Sequence, residues 1–326
     1  MKPLIFFLLV WLAALPLAAA PPPLIFDTDI TGDVDDVLAL AMLHAVADRG
    51  ACRPLGITIS KRNAEVVGFV DAFNTAYGRP DLPLGITRDE RAQLRSSKFT
   101  ALAASLKLPH DLRSADQAED AVALLRRLLA AEQDQSVLLV SVGIASNLAN
   151  LLQSPGGTEL VRRKVKLLSI MAGAFGPVQG RMDHREANVI NGLEAMRFVT
   201  REWPADVPVV WSGFEIGIAL PFAHQSILED LSDPRQRLLR EAYLAHSGPS
   251  HDRPCWDPSS LLYALWPQRG YFGLSAAGRV HFDAQGHSFF SEATGGRGRD
   301  RYLTLNPQQQ ARALEAIITL TTQPPR

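Results

Sequence analysis

Leu24-Ile25-Phe26, followed by Asp27-Thr28-Asp29-Ile30-Thr31-Gly32-Asp33-Val34-Asp35-Asp36, decides how the rest of the chain is read. The three apolar residues read as a buried strand, and Val37-Leu38, Leu40-Ala41 and Leu43 continue beyond the acids as a helix. Five carboxylates therefore fall within ten residues, between a strand and a helix. Packing so much negative charge at one strand end is costly through mutual repulsion, and a bound cation is the natural remedy. Oxygen-only ligands favour a hard ion, Ca²⁺ or Mg²⁺, and no neighbouring Cys or His suggests zinc. Asp33, Asp35 and Asp36 also have a simpler reading as a cap and first-turn acids of the helix. That reading leaves Asp27 and Asp29 unexplained.

Beyond this turn, short apolar runs alternate with longer helical periods. Leu55-Gly56-Ile57-Thr58-Ile59 reads as a second strand, and residues 66–77 as a helix stopped by Gly78-Arg79-Pro80. Residues 82–86 suggest a short third strand, and the polar stretch 88–117 an excursion over the sheet edge. An amphipathic helix is expected over 118–132, with Val122, Leu125 and Leu129 on one stripe. Strands are expected over 137–142, 165–171 and 207–211, a helix over about 145–152, and a last helix opening at Asn306-Pro307. Strands separated by helices predict an α/β fold, a mostly parallel central sheet flanked by helices on both faces. In such sheets ligands bind beyond the carboxyl ends of the strands, which adds weight to the acidic turn.

The 326 residues are 47% hydrophobic, which is ordinary globular composition and enough to bury a sizeable core. Lys and Arg total 33 against 34 Asp and Glu, so nothing suggests a nucleic-acid polymer as partner. Met1-Lys2, an apolar run from Pro3 to Leu17 and Ala18-Ala19-Ala20 are the parts of a secretory signal peptide. A membrane anchor is the other reading, but the run is short and carries Pro16. Residues 1–20 are therefore expected to be removed on export to the periplasm or medium, leaving 21–326 as one domain with no membrane attachment. Cys52 and Cys255 are the only cysteines, and their spacing leaves open whether they pair.

Two enzyme families open this way. The haloacid-dehalogenase-like phosphatases share Asp27-Thr28-Asp29-Ile30-Thr31, but the later Ser/Thr, Lys and separate acidic pair of that family find no convincing match in order. Asp27-Thr28-Asp29, Gly32 and Asp35-Asp36 followed by Val37-Leu38-Ala39-Leu40 resemble the opening of the inosine/uridine-preferring nucleoside hydrolases, calcium-dependent N-ribohydrolases. The turn here is two residues longer than in the best-known members. The resemblance extends from about residue 24 to the neighbourhood of residue 270.

Further positions match in order. Asn63, after the second strand, matches a sugar-facing Asn, although it equally suits a helix cap. Val142, in a strand running into Ala145-Ser146-Asn147-Leu148, matches a residue whose carbonyl binds calcium. Glu186-Ala187-Asn188 matches a Glu-x-Asn that binds ribose hydroxyls, while an upstream Asn of the family falls on Gly180. Asp257, opening an apolar helix after Trp256, matches the acid that closes the calcium site; His251-Asp252 is the competing match. The family's leaving-group histidine falls on Trp256.

The resemblance thus implies Ca²⁺ held by Asp29, Asp36, Asp257 and the Val142 carbonyl, with Asp29 also the general base. Asp35 and Asn63 would bind the sugar, Glu186 and Asn188 its far side, and Trp256 or His184 would touch the departing base. The implied reaction is hydrolysis of a ribonucleoside or related N-riboside to ribose and free base, in a homodimer or homotetramer. A secreted metal-dependent phosphatase and a nucleoside- or sugar-binding protein without turnover remain the alternatives.

Overall fold

A computed structural model describes residues 20–89, 92–93 and 96–326. The segment expected to be a signal peptide thus lies outside the described residues, apart from Ala20. The first half alternates strictly: β1 (Pro23–Thr28), α1 (Asp35–Asp48), β2 (Arg53–Ile59), α2 (Val66–Ala76), β3 (Leu84–Ile86) and the one-turn α3 (Leu102–Ser105). Then come β4 (Glu119–Asp120), α4 (Ala121–Ala131), β5 (Val137–Ser141), α5 (Ser146–Gln153), α6 (Gly157–Lys164) and β6 (Val165–Met171). Beyond the loop after β6 lie α7 (Ala187–Asn191), α8 (Leu193–Glu202), β7 (Val209–Ser212), α9 (Phe214–Ile218), β8 (Pro221–Phe222) and α10 (His224–Glu229). Then α11 (Arg237–Ser247), β9 (Arg253–Pro254) and α12 (Trp256–Leu265) follow. The chain ends with β10 (Gly273–Leu274), β11 (Gly278–Phe282), β12 (Ser288–Glu292), β13 (Asp300–Thr304) and α13 (Pro307–Thr321).

The main sheet runs in the order β12-β11-β13-β7-β6-β5-β1-β2-β3-β4, with β10 added beside β13. Every pairing from β4 across to β7 and β13 is parallel, and the hairpin β11–β12 closes one edge antiparallel. The expected mostly parallel sheet is therefore found. The antiparallel edge was not read from the sequence, which suggested no strand after Trp211.

Alternate side chains of β1 serve two cores, as the pleat requires. Leu24 and Phe26 enter the layer built with α1, α2, α12 and α13. Ile25 enters the layer built with α4, α5 and α8. With both faces covered, the strand reads as a continuous apolar run. The helix ends are set locally: Asp120 caps α4 through Ala123 N–H at 2.9 Å, and Asn306 with Gln309 forms a capping box before Pro307. Cys52 and Cys255 are both buried free thiols. Among the described residues no helix is long and apolar enough to cross a membrane.

Chain direction through the sheet reverses at β1, which has β2 on one side and β5 on the other. A crevice at the carboxyl ends of these strands follows from that reversal. Gly143 makes the close packing there possible. A Cβ on it would lie 2.6 Å from the Asp29 nitrogen and 2.5 Å from Ser60 Oγ, so only glycine fits.

Candidate active site

The crevice holds a cavity of about 270 Å³. Its walls come from strand ends and helix starts: Asp29, Gly32, Asp33, Asp35 and Asp36 after β1, Lys61 after β2, Val142 after β5, and Met171 at the end of β6. Glu186, Ala187, Asn188 and Asn191 enter from α7, Phe214 from α9, and Trp256 with Asp257 from α12.

Asp35 and Asp36 form the first turn of α1, and Asp257 the first turn of α12. The two helices thus point their positive ends at one spot, which favours the carboxylates gathered there. Oxygens of Asp35, Asp36 and Asp257 all lie within 4.8 Å of one another, and all three residues are buried. Asp35 Oδ2 accepts the Asp257 backbone N–H at 3.1 Å, and Thr28 Oγ1 donates to Asp36 Oδ1. None of the three is in an ion pair among the described residues. Burial first, then repulsion from the neighbouring acids, raises the Asp35, Asp36 and Asp257 carboxyls well above the usual range. Buried oxygen ligands with excess negative charge fit a hard divalent ion better than they fit an empty site.

The remaining acids of the turn are treated differently. Burial raises the Asp29 carboxyl, and Lys61 pulls it back: Lys61 Nζ stands 3.4 Å from Asp29 Oδ2. Burial also works to raise Asp33, but the Arg253 guanidinium outweighs it, with Nε donating to Asp33 Oδ1 at 2.8 Å. This pair ties the lengthened turn to β9, beside the start of α12. Asp27 points away from the cavity. Its carboxylate accepts from Thr58 Oγ1 at 2.7 Å, Asn147 Nδ2 at 2.8 Å and Ser141 Oγ at 2.9 Å. Burial pushes it up to about 6. It serves as a structural anchor under the crevice, which also removes the nucleophile that the phosphatase reading needs.

On the far wall, Glu186 caps α7. Its Oε1 accepts from Asn188 N at 2.7 Å, and its Oε2 from Val189 N at 3.1 Å and Gly173 N at 3.2 Å. Burial raises it to about 7 despite those donors. Asn188 Nδ2 donates to the Val142 carbonyl at 2.9 Å and the Met171 carbonyl at 3.1 Å. At the remaining end Phe214 and Trp256 lie with ring centroids 5.0 Å apart, and Arg253 sits 5.2 Å over the Trp256 ring. Trp256 Nε1 donates to the Phe214 carbonyl at 3.0 Å, so the indole N–H is already committed.

The structure thus brings Asp29, Asp35, Asp36, Val142, Glu186, Asn188, Trp256 and Asp257 into one cavity. Asn63 is a correction: it does not line the cavity. Its Oδ1 accepts from Val66 N at 2.7 Å and Glu65 N at 3.0 Å at the start of α2, and its Nδ2 donates to Thr100 Oγ1. The helix-cap reading explains it, and Lys61 takes the cavity position at that strand end. His184 does not itself line the cavity. It lines another recess, with its ring tilted against that of Phe214 at a centroid distance of 4.0 Å. Sequence reasoning missed Lys61, Phe214 and Met171. No local sequence signal marks Lys61; the pairing of β2 with β1 is what sets it almost level with Asp29.

No curated protein matches the chain in sequence. Solved structures match its fold. A purine-preferring ribonucleoside hydrolase from Gardnerella vaginalis superposes with a TM-score of 0.70 at 16% identity, covering 92% of this chain and 98% of that one. A plant nucleoside hydrolase gives 0.70 at 18% identity, covering 93% and 100%. An inosine-guanosine nucleoside hydrolase gives 0.71 at 18% identity, covering 92% and 98%. The family model for inosine-uridine preferring nucleoside hydrolases matches residues 24–317. With the acidic crevice at the sheet's reversal point, that match places the chain in this family, as a hydrolase acting on N-glycosyl bonds.

Proposed function

We propose that the chain hydrolyses the N-glycosidic bond of a ribonucleoside or related N-riboside, with Ca²⁺ as its metal, and acts outside the cytoplasm after loss of residues 1–20. One observation carries the reading: three buried carboxylates from two helix starts converge within 4.8 Å, in a cavity also lined by the aromatic Phe214 and Trp256. Asp36, Asp257 and the Val142 carbonyl would hold the ion, with Asp29 and Asp35 beside them. A divalent ion supplies Lewis-acid activation of water and a grip on neighbouring hydroxyls.

The chain's own groups do the rest. Asp29 accepts the proton of the attacking water at Oδ1 or Oδ2, and its burial-raised carboxyl suits that task. Asp35 accepts a hydrogen bond from a sugar hydroxyl. Glu186, fixed by its three backbone donors, and Asn188 form a rigid wall for the far side of the ring. The acidic lining favours the positive charge that develops on the sugar as the base departs. Phe214 and Trp256 offer rings on which a base stacks. Because Trp256 gives its N–H to Phe214, the departing nitrogen takes its proton from water, and catalysis leans on activation of the sugar.

The test is a panel of purine and pyrimidine nucleosides incubated with purified protein, with and without chelator, followed by reducing-sugar detection. Ribose release that chelator abolishes and Ca²⁺ restores is the expected result. Phosphate release from nucleotides without free base, or nucleoside binding without ribose, would replace the proposal with one of its alternatives.

A further inference from the structure

We propose that Lys61 sets the metal affinity of the site by acting as an internal cation that competes for Asp29; this rests on the reading that the acidic crevice takes a divalent ion. The three mutually close carboxylates are those of Asp35, Asp36 and Asp257, and Asp29 stands outside that group. Its Oδ2 faces the Lys61 ammonium at 3.4 Å. The pair is largely enclosed, with the Lys61 and Asp29 side chains 20% and 14% exposed. A calcium ion takes six to eight oxygens, so the Asp36 and Asp257 carboxylates and the Val142 carbonyl leave positions to fill. Asp29 lines the same cavity and is placed to fill one, but an oxygen facing an ammonium offers less to a second cation. The ammonium also repels the incoming ion directly.

Lys61 has somewhere else to go. It lies on the wall shared with a second cleft of about 550 Å³, whose lining includes Asp89, Gln93, Ser146, Asn191 and Glu194. A rotation of the lysine side chain carries its charge towards that cleft, leaving Asp29 to the ion. Lys61 is therefore a positioning residue. It neutralises Asp29 in the metal-free protein and makes Ca²⁺ binding weaker than the carboxylate count alone would give.

The experiment is calorimetric titration of chelator-treated full-length protein with CaCl₂, for wild type, K61M, K61Q and K61R, with thermal unfolding of each metal-free variant as a check on folding. K61M and K61Q are expected to bind Ca²⁺ about tenfold or more tightly. A single charge within a few ångströms of a double one is worth roughly that factor even at the dielectric of water. K61R, which keeps the charge, is expected to stay within about threefold of wild type. Unchanged or weaker binding in both neutral variants overturns the proposal, and so does equal tightening in K61R. A wild type that binds no divalent ion overturns the underlying metal reading instead, and is told apart from the first outcome by that single titration.

Discussion

Replacing Asp257 with Asn separates a metal-binding acid from a merely structural one, because the two roles predict opposite signs. In the metal-free protein Asp257 shares a volume with Asp35 and Asp36, with oxygens within 4.8 Å. Two ionised groups at that separation repel by about 3 kcal/mol at an effective dielectric near 20. Burial and mutual repulsion raise all three carboxyls, so protonation relieves part of this as pH falls. We take about 1–2 kcal/mol as the strain left for the neutral amide to release. The sign follows from linkage: carboxyls raised on folding lend full stability below their unfolded values and lose it as pH rises through the folded ones. At pH 7.5 in chelator, D257N should therefore unfold roughly 2–5 °C above wild type. With Ca²⁺ at about a hundred times its dissociation constant, wild type should gain about 2.7 kcal/mol, or some 5 °C. D257N should gain little, and its nucleoside hydrolysis should fall by at least about 100-fold. Scanning fluorimetry with and without Ca²⁺ reads all the thermal terms. A D257N protein less stable than wild type in chelator, yet still stabilised by Ca²⁺, would refute the reasoning.

Three other expectations follow from single contacts. W256F should lower kcat by less than about tenfold, since the indole N–H serves the Phe214 carbonyl; a loss of 100-fold or more would make it the leaving-group acid. G143A should cost at least about 2 kcal/mol in urea unfolding and depress activity as well, because its Cβ collides with the Asp29 backbone and Ser60; a variant within 0.5 kcal/mol of wild type, by the same order-of-magnitude scale, contradicts that packing. Glu215 receives the Phe175 N–H at 3.2 Å, and burial raises it to about 7. Its contribution to stability is complete below about pH 4.5 and declines as pH rises through 7, so E215Q should flatten the wild-type stability profile between pH 5 and 8 by on the order of 2 kcal/mol. Parallel profiles for the two proteins would show that Glu215 titrates elsewhere.

The acidic turn was legible because strand, acids and helix are adjacent in sequence, and Asp257 because an apolar helix follows it at once. Local pattern could not tell the five acids apart. Asp27 is withdrawn from the site by Thr58, Ser141 and Asn147, which lie 31, 114 and 120 residues away. Asp33 is taken by Arg253, 220 residues on. Asn63 showed both a cap signal and a family match, and local hydrogen bonding decided between them. Lys61 gained meaning only from the parallel pairing of β1 with β2. The β11–β12 hairpin went unread although β11 alternates buried and exposed residues strictly, because the strand is only five residues long and β12, with Ser and Glu around adjacent phenylalanines, shows no clean two-residue period.

The most direct test is a crystal structure of the full chain grown with CaCl₂ and ribose. One ion is expected at 2.3–2.6 Å, the usual calcium–oxygen range, from the carboxylates of Asp36 and Asp257 and from the Val142 carbonyl, with two ribose hydroxyls in its shell. An ion bound away from Asp257, or ribose seated in the cavity with no ion between it and these acids, would contradict the account.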